Sequence, residues 1–304
     1  MNQSSPTDNN RLAAFSIVLA VFALSFGDAI VKSLSVGFPL WQIYVVRSVI
    51  ALGILVIVIR LQEPDLVLLP KSLFWTTVRS FLLGCMWVAY YASLTHIKLS
   101  VAAAVYYTIP LFITLFSAWF TGDRVTKKSW LAVTLGFVGV VIILRPDVEG
   151  FNGYALLPLF GAILYAVAMI LTRTKCQDES PKVLSMSLNV MFILMGVVAT
   201  LFITFYSPEE SARTANPFLL GHWGKLDTTA WFAMTVLGTA VVIGSLFTAI
   251  AYQKGRASLV ASFDYSYLPF SLIWGAVFFA EIPNALTLAG IVMIATAGLV
   301  AVRE

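Results

Sequence analysis

Ten stretches of this chain are apolar enough to cross a membrane as helices, and they leave little room for any other architecture. They run over 13–34, 39–60, 72–94, 99–120, 129–145, 154–173, 182–206, 229–253, 257–280 and 285–302. Crossing the hydrocarbon core takes roughly 20 apolar residues in a helix. The runs are continuous rather than alternating, which favours helices over the strands of a closed barrel. Charged residues make up 11% of the chain and hydrophobic ones 60%. A soluble domain carries about 25% charged residues, so the natural solvent of this surface is lipid. The predicted fold class is an all-α membrane protein of ten transmembrane helices. Residues 1–12 form a polar tail. The run after it is too long for a signal-peptide core and ends on no A-x-A-like cleavage site, so it reads as a retained first helix.

Lysine and arginine sort the loops into two sets. With the N-terminus in the cytoplasm, the inner side holds Arg11, Arg60, Lys71, Arg124, Lys127, Lys128, Arg173, Lys175, Lys182, Lys254, Arg256 and Arg303. The outer side holds only Lys32, Lys98, Arg145, Arg213 and Lys225. This bias predicts both termini inside. Shifting the chain by 159 residues lays Val101-Ala102 on Val260-Ala261, Tyr106 on Tyr265, Pro110 on Pro269 and Gly139 on Gly298. Two five-helix repeats follow, over 13–145 and 154–303. Five is odd, so the second repeat must insert upside down, an arrangement common in secondary transporters.

The segment "ALSFGDAIVKSLS" places Asp28 and Lys32 inside the first apolar run. They are four residues apart and share a helix face. A carboxylate at that depth must pair, take up a proton or face water. Lys32 lies near the end of its run, where its stem can snorkel to the interface. Arg47, in the middle of the second run, cannot shed its proton. Its fork suits a carboxylate or phosphate, so it is either a partner of Asp28 or an anion-binding group. Arg79 lies about two turns from its helix start and is expected to snorkel. Asp264 is a second intramembrane carboxylate. Glu281 and Asp123 end their helices and read as loop or cap residues.

Trp87, Tyr90, Tyr91, Tyr106 and Tyr107 form an aromatic cluster on the third and fourth runs. Trp and Tyr usually mark the interface, but Tyr106 is too deep, and a deep hydroxyl needs a partner. Either core packing or a polar cavity satisfies it. A proline inside a helix frees the carbonyl four residues earlier. Pro110 and Pro269 would free Tyr106 and Tyr265, giving each repeat one kinked helix and a candidate hinge.

The blocks "YYASLTHIKLSVAAAVYYTIPLFITLFSAWFTGDRVT" and "IAYQKGRASLVASFDYSYLPFSLIWGAVFFAEIPN" resemble the drug/metabolite transporter superfamily in its ten-helix EamA-type branch. The "GDAIVKSL" and "PLWQIYVVRS" stretches resemble it too. One departure is that "AEIPN" lacks the basic residue of "GDRVT". The resemblance spans roughly 12–303 and implies carriage of a small organic metabolite. An amino acid or related carboxylate-bearing compound is the leading expectation. A vitamin or nucleotide-related metabolite, such as riboflavin or S-adenosylmethionine, is the alternative. Asp28, Lys32, Arg47, Trp87, Tyr90, Tyr91, Tyr106, Asp264 and Tyr265 are the expected substrate-binding or coupling residues.

An enzyme is not expected. An intramembrane aspartyl protease is the rival class, but Ser25 stands where its G-x-G-D motif needs glycine. No G-x-S-x-G or H-E-x-x-H is present. Cys85 and Cys176 form no C-x-x-C pair, so no disulfide framework or metal site is implied. No cofactor is expected. No ATP-binding P-loop is found, which leaves an ion or substrate gradient as the driving force. The expected partners are a small-molecule substrate, the lipid bilayer and protons as coupling ion, without nucleic acid. Oligomeric state is left open. The expected location is the bacterial inner membrane.

Overall fold

The structure, a computed structural model, describes residues 10–109, 111–113, 116, 127–144, 152–254, 260 and 263–302. All described regular structure is helical: α1 (Asn10–Leu34), α2 (Leu40–Gln62), α3 (Leu73–Leu94), α4 (Leu99–Tyr106), α5 (Lys127–Leu144), α6 (Leu156–Thr174), α7 (Pro181–Tyr206), α8 (Glu210–Ala215), α9 (Pro217–Leu220), α10 (Thr228–Lys254), α11 (Tyr267–Phe279) and α12 (Ala285–Val302). A 3-10 turn at Gly153–Ala155 leads into α6. Local chemistry sets several boundaries. Ser180 caps α7 by accepting from the Lys182 amide, and Pro181 takes the first helical position, where its missing N–H costs nothing. Asn152 caps the turn before α6 through the Tyr154 amide.

Five helical stretches are long and apolar enough to cross a membrane: Arg11–Leu34, Leu40–Gln62, Gly153–Thr172, Pro181–Tyr206 and Thr228–Lys254. The apolar stretches Thr134–Ile143, Tyr267–Phe279 and Ala285–Ala297 are shorter. The chain is thus a helical integral membrane protein, but among the described residues only five of the ten expected spans are both long enough and apolar enough to cross. Part of the shortfall has a local cause. Two of the expected runs are broken within the bundle: α4 stops at Tyr106 and the chain turns at Tyr107–Thr108, while α11 starts only after a turn at Tyr265–Ser266.

Two clusters of polar contacts mark the ends of the bundle. At one end Glu179 accepts from the Lys71 and Ser72 amides at 3.0 and 2.6 Å. There the Gln253 side chain donates to the Glu179 carbonyl, and Lys182 pairs with Glu63 at 3.1 Å. At the other end Glu281 accepts from the Leu99 amide, Asn152 donates to the His96 carbonyl, and Gln42 makes two bonds to Gly224. Helices α2, α3, α6, α7 and α10 each run from one cluster to the other.

The most extensive helix packings are α1 on α10, α5 on α12, α3 on α6 and α2 on α7. Next come α2 on α10, α1 on α11 and α3 on α7, then α4 on α11, α4 on α6 and α7 on α10. Small residues permit the closest of these, as in other membrane bundles. A Cβ on Gly290 would lie 2.9 Å from the Gly139 carbonyl, so α5 and α12 cross backbone to backbone. A Cβ on Gly238 would lie 2.9 Å from the Arg47 carbonyl. That contact brings α10 close onto α2 at Arg47.

Candidate functional site

Arg47, the eighth residue of α2, is the largest fully buried side chain among the described residues, 1% exposed. Its guanidinium carbon lies 4.5 Å from the Phe192 ring centre, 5.0 Å from Tyr44 and 5.8 Å from Tyr91. Cation–π contacts of this kind are worth roughly 0.5–2 kcal/mol each. Nε and Nη2 have no hydrogen-bond partner among the described residues. The ion pair with Asp28 offered as one reading of Arg47 does not form. The two groups interact only at longer range, and Tyr91 adjoins both.

Asp28 is 1% exposed. Its Oδ2 accepts from the Tyr267 hydroxyl in a very short contact, and that hydroxyl also meets the Tyr90 hydroxyl at 2.9 Å. Oδ1 has no hydrogen bond of ordinary length among the described residues. Trp87 packs on Tyr91 with ring centres 4.9 Å apart. Tyr106 donates to the Met86 sulfur at 3.3 Å and packs on Tyr90. The structure therefore brings Asp28, Arg47, Trp87, Tyr90, Tyr91 and Tyr106 into one aromatic-walled region.

Asp264 forms a second centre, with Tyr107 donating to Oδ1 at 3.3 Å and Tyr252 to Oδ2 at 3.2 Å. The Tyr107 ring stacks on Tyr267 at 4.7 Å, so the two centres share a wall. Tyr265 is buried there, with no partner for its hydroxyl among the described residues.

Lys32 departs from the expectation. It is one helical turn beyond Asp28, yet it does not face the Arg47 region. Its amine pairs with Glu281 at 2.6 Å and donates to the Ile97 carbonyl at 2.9 Å. The other Glu281 oxygen accepts from the Leu99 amide and so caps α4. The length of the lysine stem carries its charge to the end of the bundle. There it lines an open cavity of about 640 Å³ with Thr95, His96, Tyr154, Asn216 and Phe279.

Arg79 does not snorkel. It is 4% exposed, and its Nε donates to Thr172 Oγ1 at 2.7 Å, with a longer contact to the Leu184 carbonyl. Pro269 is not a mid-helix kink. It is the third residue of α11, where amides have no intrahelical acceptor in any case. The Tyr265 carbonyl accepts from the Leu268 amide at 3.0 Å, so it is not left free. Pro110, the other expected hinge, and Asp123 lie outside the described residues.

Arg47 and Arg79 line one internal cavity of about 50 Å³, walled by Trp87, Tyr165, Phe192 and Thr248 among others. A water needs roughly 10–15 Å³ measured this way, so this conformation has room for a few waters and is closed to an organic solute. Tyr44, Arg79, Tyr107, Tyr252 and Tyr267 were not singled out as site residues in the sequence. Tyr267 follows Tyr265 by two residues, a spacing that in an unbroken helix would point it away. Only the turn at Tyr265–Ser266 redirects it. Among the described residues no three His, Cys, Asp or Glu side chains group to hold a metal ion.

Residues 11–145 match the profile of the EamA-like transporter family. A pseudopaline exporter of Pseudomonas aeruginosa is 27% identical over 281 residues, covering 92% of each chain. A riboflavin transporter of Brucella anthropi is 28% identical over 70% of each chain. A protein of solved crystal structure, 18% identical, shares the fold with a TM-score of 0.65 over 97% of both chains. The chain is thus similar over residues 11–145 to the EamA-like transporter family, and over most of its length to transporters of small molecules.

Proposed function

We propose that the chain is a secondary transporter that carries a small carboxylate-bearing organic metabolite across the bacterial cytoplasmic membrane by alternating access. The observation that carries this reading is the Arg47 guanidinium, fully buried among rings with Nε and Nη2 unpaired. Burying an ion costs several kcal/mol unless it is paired. A binding protein recovers that cost when an anionic substrate arrives. An amino acid or a related acid fits best. The ring walls of Tyr44, Tyr91, Phe192 and Trp87 also suit a planar vitamin, and a riboflavin transporter is among the relatives.

Ten spans in two inverted five-helix halves form part of the same reading, and the packing supports them. Exchange α1–α5 in order with α6, α7, α10, α11 and α12. The packing of α1 on α10 becomes that of α6 on α3. Likewise α2 on α10 becomes α7 on α3, and α1 on α11 becomes α6 on α4. The pairs α2–α7, α4–α11 and α5–α12 map onto themselves. The packing of α7 on α10 lacks an equally extensive counterpart. The breaks at Tyr107–Thr108 and Tyr265–Ser266 also fall at matching places. Broken helices near the middle of the membrane are where transporters of inverted repeats hold substrate.

Counterflow in proteoliposomes tests the function. Vesicles loaded in turn with amino acids, vitamins and nucleotides should show saturable exchange for at least one carboxylate-bearing compound. Exchange confined to uncharged solutes would overturn the reading. Orientation is tested by labelling with a membrane-impermeant thiol reagent after Cys85 and Cys176 are replaced by serine. From outside, the reagent should reach Ser211→Cys and miss Asp178→Cys. The opposite pattern would sink the proposed topology.

A further inference from the structure

The internal cavity carries positive charge that no carboxylate on its described lining balances. Two guanidiniums line it, from Arg47 on α2 and Arg79 on α3, and no carboxylate does among its described lining residues. Both are at least nine-tenths buried, and a guanidinium stays protonated at neutral pH. Arg47 makes ring contacts and leaves Nε and Nη2 unpaired. Arg79 is held only by neutral acceptors, Thr172 Oγ1 and the Leu184 carbonyl. Asp28 offsets part of the Arg47 charge from a distance, but no acid of the chain is paired with Arg79 among the described residues. The Thr248 hydroxyl, also on the cavity wall, is buried without a partner and adds a neutral donor. Apart from Ser245, the remaining wall is aliphatic side chains, methionines and rings.

We infer that this cavity, widened in the conformation that admits an organic solute, binds a doubly charged anion with an apolar body, Arg47 and Arg79 each holding negative charge of the ligand. The inference rests on the reading of the Arg47 region as the substrate site and narrows its substrate class. A singly charged acid would leave one buried guanidinium uncompensated, which is a cost paid against that ligand alone. Two carboxylates on one body meet two separated forks. A single phosphate presents the same charge from one point. The elements fit this two-point role: Thr172 on α6 fixes the Arg79 side chain, and the close approach of Gly238 fixes the Arg47 backbone.

The test is ligand-dependent thermal stabilisation of the purified full-length protein in detergent, at constant ionic strength. The probes are phenylsuccinate with two carboxylates, 3-phenylpropionate with one, and phenyl phosphate. Phenylsuccinate should bind about 10- to 100-fold tighter than 3-phenylpropionate, the worth of one charge-assisted contact. Arg79→Gln should erase that preference. Arg47→Gln should weaken both. Arg79 also ties α3 to α6 and α7, so Arg79→Lys is measured beside it; it keeps the charge and should keep the preference. The wild-type ranking needs no variant. Phenyl phosphate binding tighter than phenylsuccinate keeps the dianion and assigns it to a phosphate. Equal, Arg47-dependent binding of all three probes overturns the inference and leaves the transporter site standing. Binding that is absent or indifferent to Arg47 overturns both.

Discussion

Arg47→Met is expected to abolish specific transport without weakening the fold. Most buried arginines behave otherwise, because removing one partner of a buried ion pair leaves the other charge stranded. Arg47 has no such partner among the described residues. Its three ring contacts return roughly 0.5–2 kcal/mol each, against a desolvation cost of several kcal/mol. Methionine has a similar reach, fills the same ring-lined space and carries no charge. The unfolding midpoint of the ligand-free variant should therefore stay level or rise. Substrate affinity should fall by about 10- to 100-fold or more, as a charged hydrogen-bonded contact is lost. Arg47→Lys retains the charge but loses the planar fork, and should fall between the two. Parallel measurement of unfolding midpoint and counterflow separates the roles. A sharp loss of stability with transport retained would make Arg47 a structural residue.

Asp28→Asn is expected to abolish uphill accumulation and to leave exchange intact. Asp28 is deep, holds one donated bond from Tyr267, and keeps Oδ1 without a normal bond. An oxygen in that condition is the natural place for a proton to arrive and leave. The amide keeps the shape and the Tyr267 contact but is fixed in a neutral state. Asp264 differs, because both its oxygens accept tyrosine hydroxyls. Asp264→Asn should mainly cost stability, on the order of 1 kcal/mol for a misfitted hydrogen bond. Proteoliposomes with an imposed pH gradient read accumulation, and counterflow without a gradient reads exchange. Unchanged accumulation in Asp28→Asn would remove Asp28 as the coupling group. Loss of exchange as well would place it in substrate binding.

Much of the framework was legible because lipid imposes it. A membrane span must be apolar over a fixed length and must satisfy its own backbone, so composition and run length announce the helices. The depth of Asp28, Arg47 and Asp264 was legible for the same reason, since a charge in an apolar run stands out. Helix-shift symmetry also pointed to Tyr106 and Tyr265, beside which the two chain breaks fall. The proline reading was less successful. Pro269 suggested a kink with a freed carbonyl, but it sits in the first turn of α11, and the break lies at Tyr265–Ser266 just before it.

What the sequence determined by itself is the class: a helical membrane protein with charges of both signs at depth and the marks of a transporter family. What only the tertiary structure decided is which charges face which. Asp28 and Lys32 are four residues apart on one helix, yet Tyr267 takes the first and Glu281 the second, from positions about 240 residues away along the chain. Arg79 looked like an interface residue and became the second guanidinium of the central cavity, because α6 and α7 close over it. The physical reason is the same in each case. Periodicity and hydropathy report how deep a side chain lies and on which face of its own helix. A partner is chosen by how neighbouring helices cross, and that depends on where glycines let backbones meet and where a helix breaks.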